Sequence, residues 1–393
     1  MMDISTFELK VELLFKGFKI LDLEKPGMDQ ESEIDKVARK GGAGPAGGMF
    51  VQYHDKFQAN VPMQELMVEK SDLYIKEITN RGIFDILKDT GDGGCEKYKR
   101  LIKIPPPNFY DDTYVKKEQN NVGTPISFKK IALIHGKDCV ATTINQSCKY
   151  WKEGSQCLFC AIEESLKGGD TLKKKDPDAL VAFTEKARKE KRVKHYTLTS
   201  GTQEGPDGGA LEYIPFVKAL KSNFKYPVHV QMAPVSKYEY LDKLYYAGVD
   251  NIGIHLETYP DSIRKEMCPG KSSIPIKSFI KNWKYAVDLF GPNQVESYLL
   301  VGLGENFDQF KRAVEIMVEN EVIPFIVPAR PIKNTKFDKN QLNSYKFLVN
   351  YYQYAGIRLH EQGLKPWKAV AGCVRCGACS AIGEATRVAQ KFP

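Results

Sequence analysis

Between about residues 128 and 336, short β-branched and apolar runs alternate with longer stretches whose apolar positions recur every three or four residues. The runs predict strands at 131–135 or 140–144, then at 195–199, 228–231, 251–255, 295–301 and 325–327. The longer stretches predict helices at 177–191, 210–222, 237–247, 274–290 and 306–320. Strands alternating with helices imply right-handed crossovers and a parallel sheet. About six such units set the expected fold class as α/β, a partial (β/α)6 TIM-type barrel.

The flanks break this rhythm. Residues 7–15 read as strand-like or as a short amphipathic helix, and 39–48 (RKGGAGPAGG) are glycine-rich. Such a stretch suits a loop before a strand, or a backbone cradle for an anion. Lys103-Ile104-Pro105-Pro106-Pro107-Asn108 is a stiff connector. The expected organisation is an N-terminal α+β extension over 1–107, the barrel over 128–336, and a C-terminal segment over 337–393 that opens with a Tyr-rich helix at 341–362.

Composition narrows the classes. There is no apolar run of about 18 residues, so no membrane helix is expected, and the first residues lack a signal-peptide pattern. A cytoplasmic location is expected. The net charge of +8 is spread among interleaved acids and bases, with no nucleic-acid motif behind it, and suits an acidic protein or small-molecule partner.

The nine cysteines are an odd number, clustered at 148/157/160 and 373/376/379, with Cys95, Cys139 and Cys268 apart. That is no secreted disulfide framework. Cys148-x8-Cys157-x2-Cys160 offers three soft thiolates, enough to hold three irons of a [4Fe–4S] cluster and leave the fourth open. Structural zinc is the competing reading, with His135 or Cys139 near enough in sequence to complete it. Cys373-x2-Cys376-x2-Cys379, followed by Ser380, is a second Fe–S or zinc signal. The cysteine loop follows the first strand, Ser200-Gly201-Thr202 the second, Glu257 the fourth and Gly302-Leu303-Gly304-Glu305 the fifth, so these motifs fall on one rim.

With these motifs the chain resembles the radical S-adenosylmethionine (SAM) enzymes. Phe159 matches the aromatic residue before the last cysteine of their triplet, although the first gap is eight residues where three is usual. The resemblance implies a cluster on Cys148, Cys157 and Cys160, with SAM chelating the open iron. It implies SAM contacts at Phe159, Ser200, Gly201, Thr202, Glu257, Gly302 and Gly304. Arg330, in a turn similar to the sixth-strand turn of biotin synthase-like members, would meet a carboxylate. Each position has a plainer alternative: a helix-start carboxylate for Glu257, turn glycines for Gly302 and Gly304, packing for His195 and His255, an incidental buried thiol for Cys268, and an ordinary ion pair for Arg330.

Segments 39–48, 135–143, 267–271 and 372–380 together resemble the radical SAM family encoded beside nitrilases. The layout is also similar to archaeal two-protein lipoyl synthases. The second resemblance implies an auxiliary [4Fe–4S] cluster on Cys373, Cys376 and Cys379, with Ser380 as a weak fourth ligand, donating sulfur to a substrate radical. The expected substrate is then an octanoyl group on an acidic carrier protein. A small-molecule substrate is the alternative partner, a second radical SAM protein is a further one, and ferredoxin or flavodoxin would supply electrons. Two other readings compete: another C–H transformation with the second cluster as electron relay, and an iron–sulfur carrier or zinc-stapled binding protein without SAM chemistry.

Overall fold

In the computed structural model, residues 2–20, 48–79, 82–116 and 123–391 are described. The glycine-rich 39–48 stretch lies outside them except for Gly48, which opens a strand.

The centre of the molecule is a seven-stranded sheet: β9 (Leu133–His135), β10 (Cys139–Asn145), β11 (His195–Ser200), β12 (Val228–Met232), β13 (Asn251–Ile254), β14 (Val295–Val301) and β15 (Ile323–Pro328). The strands lie in chain order; β10 to β15 are parallel, and β9 pairs antiparallel with β10 at one edge. No pairing joins β15 to β9, so the sheet curls into a partial barrel. Every residue of β10 and β13 is buried, as expected of parallel strands covered on both faces. Both alternatives for the first strand are therefore occupied, one by the short edge strand β9 and the other by β10.

Helices line the outside. α2 (Pro177–Lys189), α3 (Tyr213–Asn223), α4 (Glu239–Ala247), α5 (Ile276–Phe290) and α6 (Phe307–Val318) follow β10 to β14 in turn. Their ends match their sequence signals: Asp176 caps α2 ahead of Pro177, and Asn306 with Gln309 forms a capping box on α6. After β15 come α7 (Tyr345–Glu361) and, near the C-terminus, α8 (Ile382–Ala389).

Residues 4–103 begin with a helix, α1 (Ile4–Lys16), which settles the ambiguity at 7–15. Phe7, Leu9, Val11, Leu13 and Leu14 are all buried, so burial wraps around the helix and leaves no clean stripe to read. A six-stranded sheet follows: β1 (Lys19–Ile20), β2 (Gly48–Tyr53), β3 (Phe57–Pro62), β4 (Leu73–Thr79), β5 (Ile83–Asp89) and β6 (Cys95–Lys103), in the order β1-β4-β5-β6-β2-β3, and the short antiparallel pair β7 (Thr113–Tyr114) and β8 (Ile126–Ser127) leads on to the barrel. α1 packs on β3, α7 and α8, and the backbone N–H of Asn60 donates to Ala378 O at 2.7 Å. The first and last parts of the chain thus share a core with the barrel. Among the described residues no helix is long and apolar enough to cross a membrane.

Candidate active site

β10 ends at Asn145, and the chain turns to put Cys148 before the single helical turn Lys149–Lys152. The loop after β11 supports it: Gly201 N–H donates to Asn145 O (3.0 Å), and Lys149 N–H donates to Thr202 O (2.8 Å). A Cβ at Gly201 would drive into the Ser147 carbonyl and against the Cys148 side chain, so only glycine permits this approach. Backbone N–H groups of Tyr150 and Thr202 point at the Cys148 sulfur, and that of Ile162 at the Cys160 sulfur.

The rest of the loop is pinned from across the rim. Leu158 N–H donates to Met267 O (2.8 Å), and Gly270 N–H donates to Ser155 O (2.9 Å). Cys268 lies buried in this seam with its thiol hydrogen-bonded to that of Cys157, so it is not incidental to the site. That bond, with burial, holds the Cys157 thiol well above the ordinary range. Burial pushes Cys160 up to about 12 and also raises Cys148. Thiols so placed keep their protons at neutral pH until a metal displaces them.

Glu257 follows β13 with φ +71° and pairs with Lys271 Nζ at 2.8 Å, and Lys271 also donates to His255 O at 3.0 Å. Burial would lower the lysine, but Glu257, with Cys157 and Cys268 beside it, outweighs this and keeps it charged. His255 stacks on Tyr298 (centroids 4.3 Å) and accepts from the Tyr298 N–H through Nδ1, while burial keeps the ring neutral. Gly302 (φ +91°) and Gly304 (φ +111°) form a left-handed turn after β14. The Glu305 carboxylate accepts from the Gly302 and Leu303 N–H groups at 2.7 and 2.9 Å, and a Cβ on Gly302 would collide with Asn340.

The second triplet lies on the other side of the barrel interior. Cys373 and Cys376 belong to the helical turn Gly372–Cys376, whose Val374 N–H donates to the buried Glu296 carboxylate at 3.0 Å. Burial lifts the Glu296 carboxyl to about 8. The Cys373 sulfur accepts from Tyr298 Oη (3.0 Å) and Gln231 Nε2 (3.2 Å), and Cys379 Sγ accepts from Asn60 Nδ2 (3.5 Å). Gln58 Nε2 donates to Cys376 O at 2.6 Å. Burial holds Cys373 well above the thiol range and pushes Cys376 up to about 12. Arg330 donates to Asn60 O (2.6 Å) through Nη2, while its buried Nε has no partner. Ser380 is buried, with its hydroxyl 3.5 Å from Tyr352 Oη and 3.4 Å from the Ile382 N–H.

One cavity of about 380 Å³ joins these parts, and all six triplet cysteines line it. So do Phe159, Ser200, Gly201, Thr202, Glu257 and Arg330; Gly302, Gly304 and Ser380 do not line it. The size is within the range of small-molecule sites. Asn60, Gln231, Lys271 and Tyr298 also reach this cavity, and Gln58 braces its wall. Nothing in the local sequence marks Gln58, Asn60, Gln231 or Tyr298, whereas Lys271 closes the 267–271 segment already singled out. Among the described residues, no three Cys, His, Asp or Glu side chains are grouped to hold a single metal ion. A tetrahedral zinc, with bonds of about 2.3 Å to sulfur, needs its thiolates within ~4 Å of one another; a four-iron cluster spreads them wider. Soft thiol donors facing a shared space are the chemistry a cluster needs.

Residues 154–317 match the Radical SAM superfamily, so the chain carries a radical SAM domain, which implies a [4Fe–4S] cluster and SAM. Cys148 lies just before the matched span. The chain matches no curated protein. Among solved structures it is similar to methylornithine synthase (PylB), at 15% identity over 58% of this chain and 64% of that one, with a TM-score of 0.44. It is also similar to HydG, a maturase of the [FeFe]-hydrogenase, at 17% identity, 61% and 53% coverage and a TM-score of 0.45. A radical SAM methyltransferase from Sphaerobacter thermophilus is similar at 15% identity, 79% and 81% coverage and a TM-score of 0.43.

Proposed function

We propose that the chain is a radical SAM enzyme in which Cys148, Cys157 and Cys160 hold the SAM-binding cluster, and Cys373, Cys376 and Cys379 hold an auxiliary one. The observation that carries this reading is that both triplets line a single cavity inside one barrel. When bound, SAM and its cluster would supply a 5′-deoxyadenosyl radical that takes hydrogen from an unactivated carbon.

The chain's own residues orient and enclose. Ser200, Gly201, Thr202 and the Glu257–Lys271 pair stand beside the first triplet, where they would hold the polar groups of SAM. Phe159, Leu300, Phe325 and Val327 give the cavity apolar walls that exclude water from a reactive radical. Arg330 offers a free guanidinium N–H beside the second triplet, suited to a carboxylate.

For the reaction itself we favour sulfur insertion at a C–H bond, lipoyl synthase-like, with an octanoylated carrier protein as the substrate to test. A substrate carbon in this cavity would lie between the radical source and the auxiliary site, as insertion requires. The test is anaerobic: reconstitute the protein, then add SAM, reductant and an octanoylated lipoyl domain, and follow 5′-deoxyadenosine and carrier mass. 5′-Deoxyadenosine with a mass gain of sulfur for hydrogen supports the whole reading. 5′-Deoxyadenosine without that gain retains the radical chemistry and discards the substrate. No SAM cleavage under any reductant overturns both.

A further inference from the structure

Of the three cysteines outside the triplets, Cys95 is exposed and Cys268 bonds to Cys157. Cys139 is the third. It begins β10, at the end opposite to the Cys148 loop, and is 1% exposed. Together with Ala141 on the same strand face it packs against Cys376. Its Sγ lies 3.3 Å from Thr197 Oγ1, and Thr197 lines the cavity.

A remote side chain fixes this pairing. Gln58 Nε2 donates to Cys376 O at 2.6 Å, while Gln58 Oε1 accepts from the Lys137 N–H at 3.0 Å, two residues before Cys139. A Cβ on Gly136 would press into the Gln58 amide, so that turn is shaped to admit it. One glutamine therefore ties the turn leading into Cys139 to the cysteine that Cys139 faces. Ser380, the oxygen ligand expected from sequence, instead turns toward Tyr352 and the Ile382 N–H and does not line the cavity.

We propose that Cys139 is the fourth thiolate of the site formed by Cys373, Cys376 and Cys379, with Gln58 as the residue that positions it. The inference rests on the reading that the C-terminal triplet holds a cluster, and not on whether that cluster donates sulfur. Four thiolates give each iron one protein ligand and leave none open, which separates this site from the three-thiolate SAM site. Sulfur donation from it would spend a bridging sulfide, with the substrate radical's electron passing to a cluster iron, and the iron then released would have to leave its thiolate; electron relay would break no iron–thiolate bond. A buried cysteine that merely packs, by contrast, behaves as a small apolar side chain and tolerates alanine.

The experiment uses the full chain with Cys148, Cys157 and Cys160 all changed to Ala, so that only the second site can carry iron. After anaerobic reconstitution this background should hold about four irons per chain. Adding Cys139→Ala is expected to speed iron release to a chelator by at least about tenfold and to give a three-iron EPR signal on oxidation. Ser380→Ala should change neither. Cys139→Ser, close in size to the native residue, should fold as the parent does and shift the g-values of the reduced cluster. Unchanged iron release in Cys139→Ala, or unchanged g-values in Cys139→Ser, overturns the inference while leaving the cluster itself in place. A background that binds no iron overturns the cluster reading and the inference with it.

Discussion

The two cysteine triplets face the same cavity but lean on different donors, although each mixes the two kinds: Cys157 meets the Cys268 thiol, and Cys376 meets the Ala378 N–H. The sulfurs of Cys148 and Cys160 are met by backbone N–H groups of their own and the neighbouring loop. The sulfurs of Cys373 and Cys379 are met by side chains: Tyr298 and Gln231 from two barrel strands, and Asn60 from the N-terminal sheet. Backbone donors make a site that a short motif can specify and that leaves room for an external ligand. Side-chain donors enclose a site and set the properties of whatever it holds, since hydrogen bonds to sulfur tune cluster potentials.

The largest expected effect comes from breaking the first site alone. Cys157→Ala should abolish 5′-deoxyadenosine formation and lower iron from about eight to about four per chain, as read by product chromatography and iron assay. Loss of all iron would mean that the two sites are not independent. Gly201→Val should act nearly as strongly, because the new side chain must displace Ser147 and Cys148. It should cost ~1–3 kcal/mol in overpacking, seen as a lower melting temperature, together with loss of the first site's iron. Retention of that iron would deny the glycine its role.

Tyr298→Phe tests the other half of the comparison. Loss of the hydroxyl donor to Cys373 should favour oxidation of the second cluster by about tenfold, or ~59 mV lower for a one-electron couple. An EPR redox titration should show this with the first cluster unchanged; an equal shift at both sites would dissolve the contrast. The smallest effect is at Glu296. Its carboxyl is raised to about 8 in the folded protein, against an ordinary value of 4.5. The folded state therefore holds a proton that the unfolded state has lost. Its contribution to stability is full below the unfolded value and is lost as pH rises through about 8. Glu296→Gln should flatten the fall in melting temperature of the metal-free protein between pH 6 and about 8.

The barrel was legible because parallel strands and amphipathic helices repeat locally, and five of its helices fall within a few residues of the periodic stretches. Cysteine spacing was legible for the same reason. The shared cavity was not: Gln58 meets Cys376 across 318 positions and Asn60 meets Cys379 across 319, and no local period encodes such contacts. The helix at Ile4–Lys16 was ambiguous because nearly every side of it is buried.

The buried Lys10 Nζ bonds to Gly377 O at 2.8 Å and to Glu384 at 2.9 Å, across 367 and 374 positions. During synthesis the N-terminal helix and sheet emerge long before the residues they clasp, and contacts of such separation form slowly. The proposed second cluster would not be furnished on a nascent chain, because the wall of its site is made early and its thiols arrive last. On that proposal iron reaches it only in the finished polypeptide, whereas Cys148, Cys157 and Cys160 are all synthesised more than 200 residues sooner.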